Sequence, residues 1–162
     1  MRVLPAKSSA DIEQVRRLFE EYWAAFGFTP CFQNFAQELA GLPGSYSPPD
    51  GRLALAWISG GAAGCVALRR LDATRCEAKR LYVRPAFRGR GVGRSLMQWI
   101  IEEARQAGYG EMLGDTLPVM STALEMYGRM GFELTAPHEG QPEPGAIFCG
   151  CDYDRKRSST ST

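Results

Sequence analysis

Near the start of the chain, apolar residues recur at helical spacing: Ile12, Val15, Phe19, Tyr22 and Phe26 share one face of a helix that Ser8 or Ser9 can cap. A short strand, Arg2 to Pro5, precedes it. Gly27 to Pro30 breaks the helix, a second short helix is predicted from Phe32 to Leu39, and Gly41 to Gly51 reads as a turn-rich connector. The period then changes from helical to alternating. Leu53 to Ile58 and Ala62 to Leu71 flank Ser59-Gly-Gly61 as a β-hairpin, and Cys76 to Val83 extends it to a meander. In that last strand the alternation slips. Ala78, Leu81 and Val83 share a face only if one extra residue is accommodated around Lys79-Arg80, so a β-bulge is predicted there. Downstream, Gly91 to Ala107 forms an amphipathic helix with Leu96, Trp99, Ile100 and Ala104 inward and Gly108 as its stop. Glu111 to Thr116 is a strand, Val119 to Met130 a helix ending at Gly131, and Phe132 to Thr135 and Ala146 to Cys151 are the final strands. The fold class is α/β with one mixed sheet.

At 162 residues the chain is long enough to bury a substantial core and too short for two ordinary domains, and 44% hydrophobic with 23% charged residues is ordinary for a globular protein. One domain, residues 1–154, is expected, with 155–162 a disordered polar tail. The net charge of +1 gives no general pull toward nucleic acid or an anionic membrane. No apolar segment follows Met1 and no run approaches bilayer length, so a cytoplasmic protein is expected. The five cysteines are odd in number and scattered, which reads as reduced thiols. No metal site is expected, because Cys149-Gly-Cys151 lacks further ligands and the only histidine, His138, sits in a Pro/Glu-rich stretch.

The chemistry concentrates in Arg80-Leu-Tyr-Val83-Arg-Pro-Ala-Phe-Arg88-Gly89-Arg90-Gly91-Val92-Gly93-Arg94-Ser95. A strand ends near Pro85, glycines follow, and a helix opens with its free N–H groups pointing back at the turn. Glycines admit a close backbone approach, the helix terminus carries partial positive charge, and Arg88, Arg90 and Arg94 add full charges; this is an anion site suited to phosphate. A Walker loop needs Gly-Lys-Ser/Thr, and here Arg94-Ser95 follows the glycines. A dinucleotide fingerprint needs a glycine at position 94 and an opening βαβ unit, and neither is present.

What remains is Arg88-Gly-Arg-Gly91-Val-Gly93, of the form Gln/Arg-x-x-Gly-x-Gly/Ala, preceded by Leu-Tyr-Val-x-Pro and followed later by Leu124-Glu-Met-Tyr127-Gly-Arg-Met-Gly131-Phe132. This constellation resembles the GNAT superfamily of acyl-CoA-dependent N-acetyltransferases, and the resemblance runs from about Val3 to Cys151. It is similar to uncharacterised bacterial members carrying a Cys-Glu-x-Lys-Arg-Leu-Tyr-Val run, here Cys76 to Val83, and a late Pro-Gly-Ala-Ile, here Pro144 to Ile147. The resemblance implies a sheet of about seven strands, the fourth and fifth splayed, flanked by about four helices. It implies acetyl-CoA as cosubstrate, with pantetheine along Leu81, Tyr82 and Val83 and the pyrophosphate on amides from Arg88 to Arg94, with Val92 and Ser95 in the same cradle. It also places Tyr127 near the thioester sulfur. The family often has Asn seven residues before that tyrosine; this chain has Met120.

Amine acetylation needs a base for the ammonium proton, a donor for the oxyanion and an acid for the thiolate. Tyr127 is the candidate acid. Glu77, ahead of the bulge, and Asp115, near the end of the fifth strand, are competing bases; otherwise Glu77 is a solvated or Arg-paired surface carboxylate and Asp115 a cap before Pro118. Tyr22, Phe28 and Phe32 stand where the family's acceptor pocket is bordered. Cys76 reads as a small buried hydrophobe, and His138 is given no role. The expected partner is a small-molecule or peptide amine, with neither nucleic acid nor membrane, acting as a monomer or as a homodimer through an exposed last strand. A GNAT-fold module that senses acyl-CoA without turnover is the alternative.

Overall fold

The computed structural model describes residues 1–27, 34–116, 121–135 and 147–152. Its elements are β1 (Arg2–Pro5), α1 (Ser9–Ala25), α2 (Phe35–Ala40), β2 (Arg52–Ile58), β3 (Gly61–Arg70), β4 (Arg75–Val83), α3 (Val92–Gln106), β5 (Glu111–Thr116), α4 (Ser121–Arg129), β6 (Glu133–Thr135) and β7 (Ile147–Asp152). The seven strands form one mixed sheet in the order β1-β2-β3-β4-β5-β7-β6. The expected fold class, a single α/β domain with seven strands and four helices, is the fold observed.

Local sequence explains the helix ends. Ser8 caps α1 in a capping box: its hydroxyl accepts from the Asp11 N–H, while the Asp11 carboxylate accepts from the Ser8 N–H, both at 3.0 Å. At the end of α4, Gly131 at φ +90 lets the Phe132 N–H reach back 2.9 Å to the Tyr127 carbonyl. The predicted 41–51 connector holds a short 3-10 turn at Gly44–Tyr46, which drives Tyr46 into the interior. No helix among the described residues is long and apolar enough to cross a membrane.

Each face of the sheet carries its own core. Val92, Leu96, Met97 and Ile100 of α3 pack with Val66, Leu68, Cys76, Ala78, Met112 and Tyr127 on one face. On the other, Val15, Leu18, Phe19 and Trp23 of α1 pack with Phe35, Tyr46, Leu53, Leu55, Cys65, Ala67 and Tyr82. Trp99, predicted inward, is only partly buried at the margin of the first core. Cys76 lies fully buried there, and its burial pushes the thiol up to about 12, so it behaves as the small hydrophobe expected.

Two features of strand pairing shape the site. β3 and β4 pair Ala67 with Lys79 but Cys65 with Tyr82, so β4 carries one extra residue, and Arg80 takes a left-handed conformation at φ +59. This is the predicted bulge. It puts Cys76, Ala78, Leu81 and Val83 on the α3 face and Tyr82 on the α1 face. Next, β4 and β5 run parallel and pair only from Arg75↔Glu111 to Glu77↔Leu113, although β4 continues to Val83 and β5 to Thr116. The two strands therefore splay beyond Glu77. A correction concerns β7: it lies between β5 and β6 rather than at an exposed edge, so it offers no free edge to a second copy. The sheet edges are β1 and β6.

Close packing of β3 on β4 is tightest at Gly64, where an added Cβ would meet the Tyr82 carbonyl oxygen at 2.5 Å and Leu96 Cδ1 at 3.2 Å. Gly64→Ala is therefore expected to destabilise the fold by about 1–3 kcal/mol, because a backbone oxygen cannot swing aside as a side chain can. Urea unfolding checks this; a midpoint equal to that of the parent chain would show that the strand pair yields freely.

Candidate active site

The backbone of β4 faces the splay with usable polar groups. The Arg80 carbonyl accepts from Cys65 Sγ of β3 at 3.4 Å, and a trans peptide points its N–H opposite to its C=O, so the Leu81 N–H is directed toward the β5 side. By the same argument, the Arg84 N–H donates to the Ala63 carbonyl of β3 at 2.9 Å, which sends the Val83 C=O into the splay. Arg88 Nε already donates to that carbonyl at 2.9 Å and holds the strand end in place. A donor at Leu81 and an acceptor at Val83 are what an extended amide-containing chain would pair with.

At the open end of the splay, α3 begins. Gly91 is its N-cap at φ +77, no side chain caps the helix, and the amides of Val92, Gly93 and Arg94 head the first turn. Gly89, at φ +74, and Gly91 both face open space, with nothing within 4 Å of an added Cβ. The left-handed conformation at these two positions is one that glycine adopts without strain. Arg88, Arg90 and Arg94 are exposed around this turn. Arg88 lies over the Tyr82 ring at 5.8 Å and Arg90 over the Phe87 ring at 5.9 Å, so two of the three predicted cations are steadied by aromatic faces. Val92 is buried and anchors the turn to the α3-side core, while Ser95 closes the first helical bond to Gly91 at 3.0 Å.

Position 93 brings α4 to the same place. A Cβ there would lie 3.6 Å from Val83 Cγ2 and 3.7 Å from Met126 Sδ, so α3, the end of β4 and α4 meet at one point. Tyr127, next along α4, is buried in the α3-side core and packs on Phe132 at 5.4 Å between ring centroids. Tyr127 thus lies beside the splay on the α3 side.

The acidic candidates lie on the opposite face. Glu77 is 0% exposed, which corrects its reading as a surface residue. Its Oε2 accepts from Arg69 Nη2 at 2.9 Å and Nε at 3.1 Å, and its Oε1 lies 3.3 Å from Lys79 Nζ. The expected pairing with an arginine is found, and it comes from Arg69, directly opposite in the β3–β4 register, which helps to cover the carboxylate. Burial drives the Lys79 ammonium below its usual range, opposed by Glu77 and more weakly by Asp115. Asp115 alternates with Met112 of the α3-side core and follows Leu113, the partner of Glu77, so it shares the α1 face and is half-buried. Its place within β5, opposite Phe148, makes it a strand residue.

Tyr22 forms the rim on the α1 side. Its ring meets Phe26 at 5.3 Å and Tyr82 at 6.0 Å, and burial pushes its hydroxyl up to about 12, with Arg80 opposing and Asp115 reinforcing the rise. Phe28, Phe32, Met120, His138 and the 155–162 tail lie outside the described residues. Among the described residues, Arg80 of β4 and Arg84 just beyond its end make ion pairs with the helices on this face, and neither pair was expected from the sequence. Arg80 bonds Glu38 of α2, and Arg84 bonds Glu21 of α1 at 2.7 Å and the Ala62 carbonyl at 2.8 Å. Part of the signal was present in Lys79-Arg80 itself: Glu77 of the same strand faces Lys79, so the second cation at the bulge, Arg80, requires an acid from elsewhere.

The model of the acetyltransferase (GNAT) family matches residues 12–132. An uncharacterised N-acetyltransferase of Schizosaccharomyces pombe is 37% identical over 144 residues, 88% of either chain. Among solved structures, an acetyltransferase from Streptococcus agalactiae superposes with a TM-score of 0.79 at 16% identity, covering 93% of this chain and 97% of that one. A GNAT acetyltransferase from Elizabethkingia anophelis, solved with acetyl-CoA bound, gives a TM-score of 0.58 at 23% identity over 76% of this chain and 84% of that one. With a splayed sheet, an uncapped glycine-led helix and a family match across most of its length, this chain belongs to the GNAT family of acetyltransferases and is an acyltransferase.

Proposed function

We propose that the chain transfers an acetyl group from acetyl-CoA to the primary amine of a small molecule or peptide by direct attack within a ternary complex. The observation that carries this reading is the alignment of the β4–β5 splay with the uncapped N-terminus of α3. An acyl-pantetheine arm fits along Leu81, Tyr82 and Val83, pairing with the Leu81 N–H and Val83 C=O as an added strand would. The pyrophosphate fits the turn from Arg88 to Ser95, where backbone amides, the helix terminus and three guanidinium groups meet it. A glycine-led turn of this kind favours a phosphate that approaches the backbone closely.

In this reading the amine enters from the α1 face, beside Tyr22, and attacks the thioester carbonyl. A base removes the ammonium proton, the tetrahedral oxyanion collapses, and Tyr127 donates its proton to the departing CoA thiolate. Asp115 is the better-placed base. Both oxygens of Glu77 already face cations and the side chain is fully covered, whereas Asp115 is half-buried on the same face. Glu77 then serves to hold Arg69 and Lys79.

Three measurements check the assignments. Tyr127→Phe is expected to lower kcat by about 10²-fold or more in a thiol-release assay, consistent with the usual range for a lost general acid; full turnover would remove its role. Gly91→Glu is expected to abolish acetyl-CoA binding by calorimetry, since the new carboxylate enters the phosphate cradle; retained affinity would refute that cradle. Asp115→Asn is expected to lower kcat/KM by about 10²-fold or more while acetyl-CoA still binds, in the usual range for a lost general base; full turnover in Asp115→Asn together with that loss in Glu77→Gln would reverse the assignment of the base. Binding of acetyl-CoA without CoA release across a panel of amines would favour the sensor reading.

A further inference from the structure

The bulge in β4 is held by a buried ion pair that the acyl-transfer chemistry above does not use. Arg80, with 4% of its side chain exposed, donates from Nε to Glu38 Oε2 at 2.8 Å and from Nη2 to Glu38 Oε1 at 3.1 Å. Tyr46 donates to the same Oε1 at 2.7 Å. The guanidinium lies 4.8 Å over the Trp23 ring and 5.6 Å over the Phe35 ring, and those two rings stack at 3.8 Å. The Arg80–Glu38 pair therefore joins β4, α1, α2 and, through Glu38, the Gly44–Tyr46 turn.

The backbone consequence follows from the conformation at Arg80. A non-glycine residue rarely adopts φ +59, and it does so where the surroundings fix it. Here that conformation aims the 80–81 peptide so that its carbonyl meets Cys65 and its N–H faces the splay. Without it, β4 would lack its extra residue, and Leu81 and Val83 would move to the α1 face. A two-point carboxylate contact fixes a guanidinium in direction as well as distance, which a single ammonium contact does not.

We infer that the Arg80–Glu38 pair is a positioning device for acyl transfer: it fixes the peptide that presents the Leu81 N–H to the acyl chain and couples that peptide to α2 on the acceptor side. The pair touches neither reactant; it acts through Leu81 and through the placement of α2. Its loss should misplace the acyl group while leaving the Arg88–Ser95 cradle, and hence most cofactor affinity, intact. A displacement of about 1 Å at the reacting centre costs on the order of 10²-fold in rate.

The test compares Arg80→Gly, Arg80→Lys and Glu38→Gln in the full chain. Glycine adopts φ > 0 without strain, so Arg80→Gly keeps the bulge accessible and removes only the side-chain anchor. Because this inference rests on the acyl-transfer reading, the parent chain is first assayed for acetyl-CoA binding and turnover. If it binds none, that reading fails and takes this one with it. In a parent chain that turns over, kcat per acetyl-CoA-binding site is expected to fall about 10²-fold in Arg80→Gly and in Glu38→Gln, with acetyl-CoA Kd changed less than about threefold. Counting sites by calorimetric stoichiometry removes any unfolded fraction from the comparison. Arg80→Lys keeps the charge and loses the fork, and should recover only part of kcat. Unchanged kcat in Arg80→Gly, or an equal loss of kcat and cofactor affinity in every variant, would overturn the positioning role.

Discussion

One extra residue in β4 governs this molecule. A strand that alternated without interruption from Arg75 to Val83 would turn Leu81 and Val83 away from the α3-side core, and Tyr82 away from α1. The bulge restores both faces at the cost of one residue in a sparsely populated conformation. It also rotates a single peptide so that its N–H leaves the β3 ladder. Packing and presentation of the splay edge are thus solved by the same irregularity. The pairing that ends at Glu77↔Leu113 does the rest, since an edge is useful to a ligand only where the neighbouring strand has left it.

The face toward α1 and α2 is held together by charge. Arg69, Lys79, Arg80 and Arg84 meet Glu77, Glu38 and Glu21 in ion pairs, and Asp115 adds a fourth carboxylate whose field reaches Lys79. Buried pairs of this kind contribute little net stability compared with well-packed apolar residues, because desolvation offsets most of the attraction. Their value is directional. An apolar contact between α2 and β4 would tolerate sliding, whereas a carboxylate gripped at both oxygens fixes the helix along and across the strand. Arg84 and Glu21 repeat the arrangement for α1, in a more exposed setting where it is worth less.

What the sequence disclosed follows from how far apart the cooperating residues lie. The bulge was legible because Ala78, Leu81 and Val83 are out of step within one strand, and the cradle because Arg88 to Ser95 is contiguous. Glu38 was not legible as the partner of Arg80, for the two are 42 residues apart and nothing local marks one carboxylate of α2 above others. For Glu77 the pairing with an arginine was legible but the burial was not, because the arginine that meets it, Arg69, comes from across the sheet. The position of β7 failed differently. Chain order suggests that a last strand lies at an edge, but here β7 inserts between β5 and β6, and strand order is a property of the whole sheet.

That contrast also explains why the donor is easier to name than the acceptor. The residues proposed to hold acetyl-CoA lie within one strand, one turn and the first helical turn after it, so their chemistry can be read as a motif. The surroundings of the proposed acceptor entrance are assembled from α1, α2, β4 and β5, through Tyr22, Glu38, Lys79 and Asp115, and have no sequence-local signature. A chain can change its acceptor by altering residues that lie far apart in sequence while the cradle stays as it is. Selectivity for the amine is therefore best sought in what the ion pairs of β4 hold in position, rather than in the glycine turn.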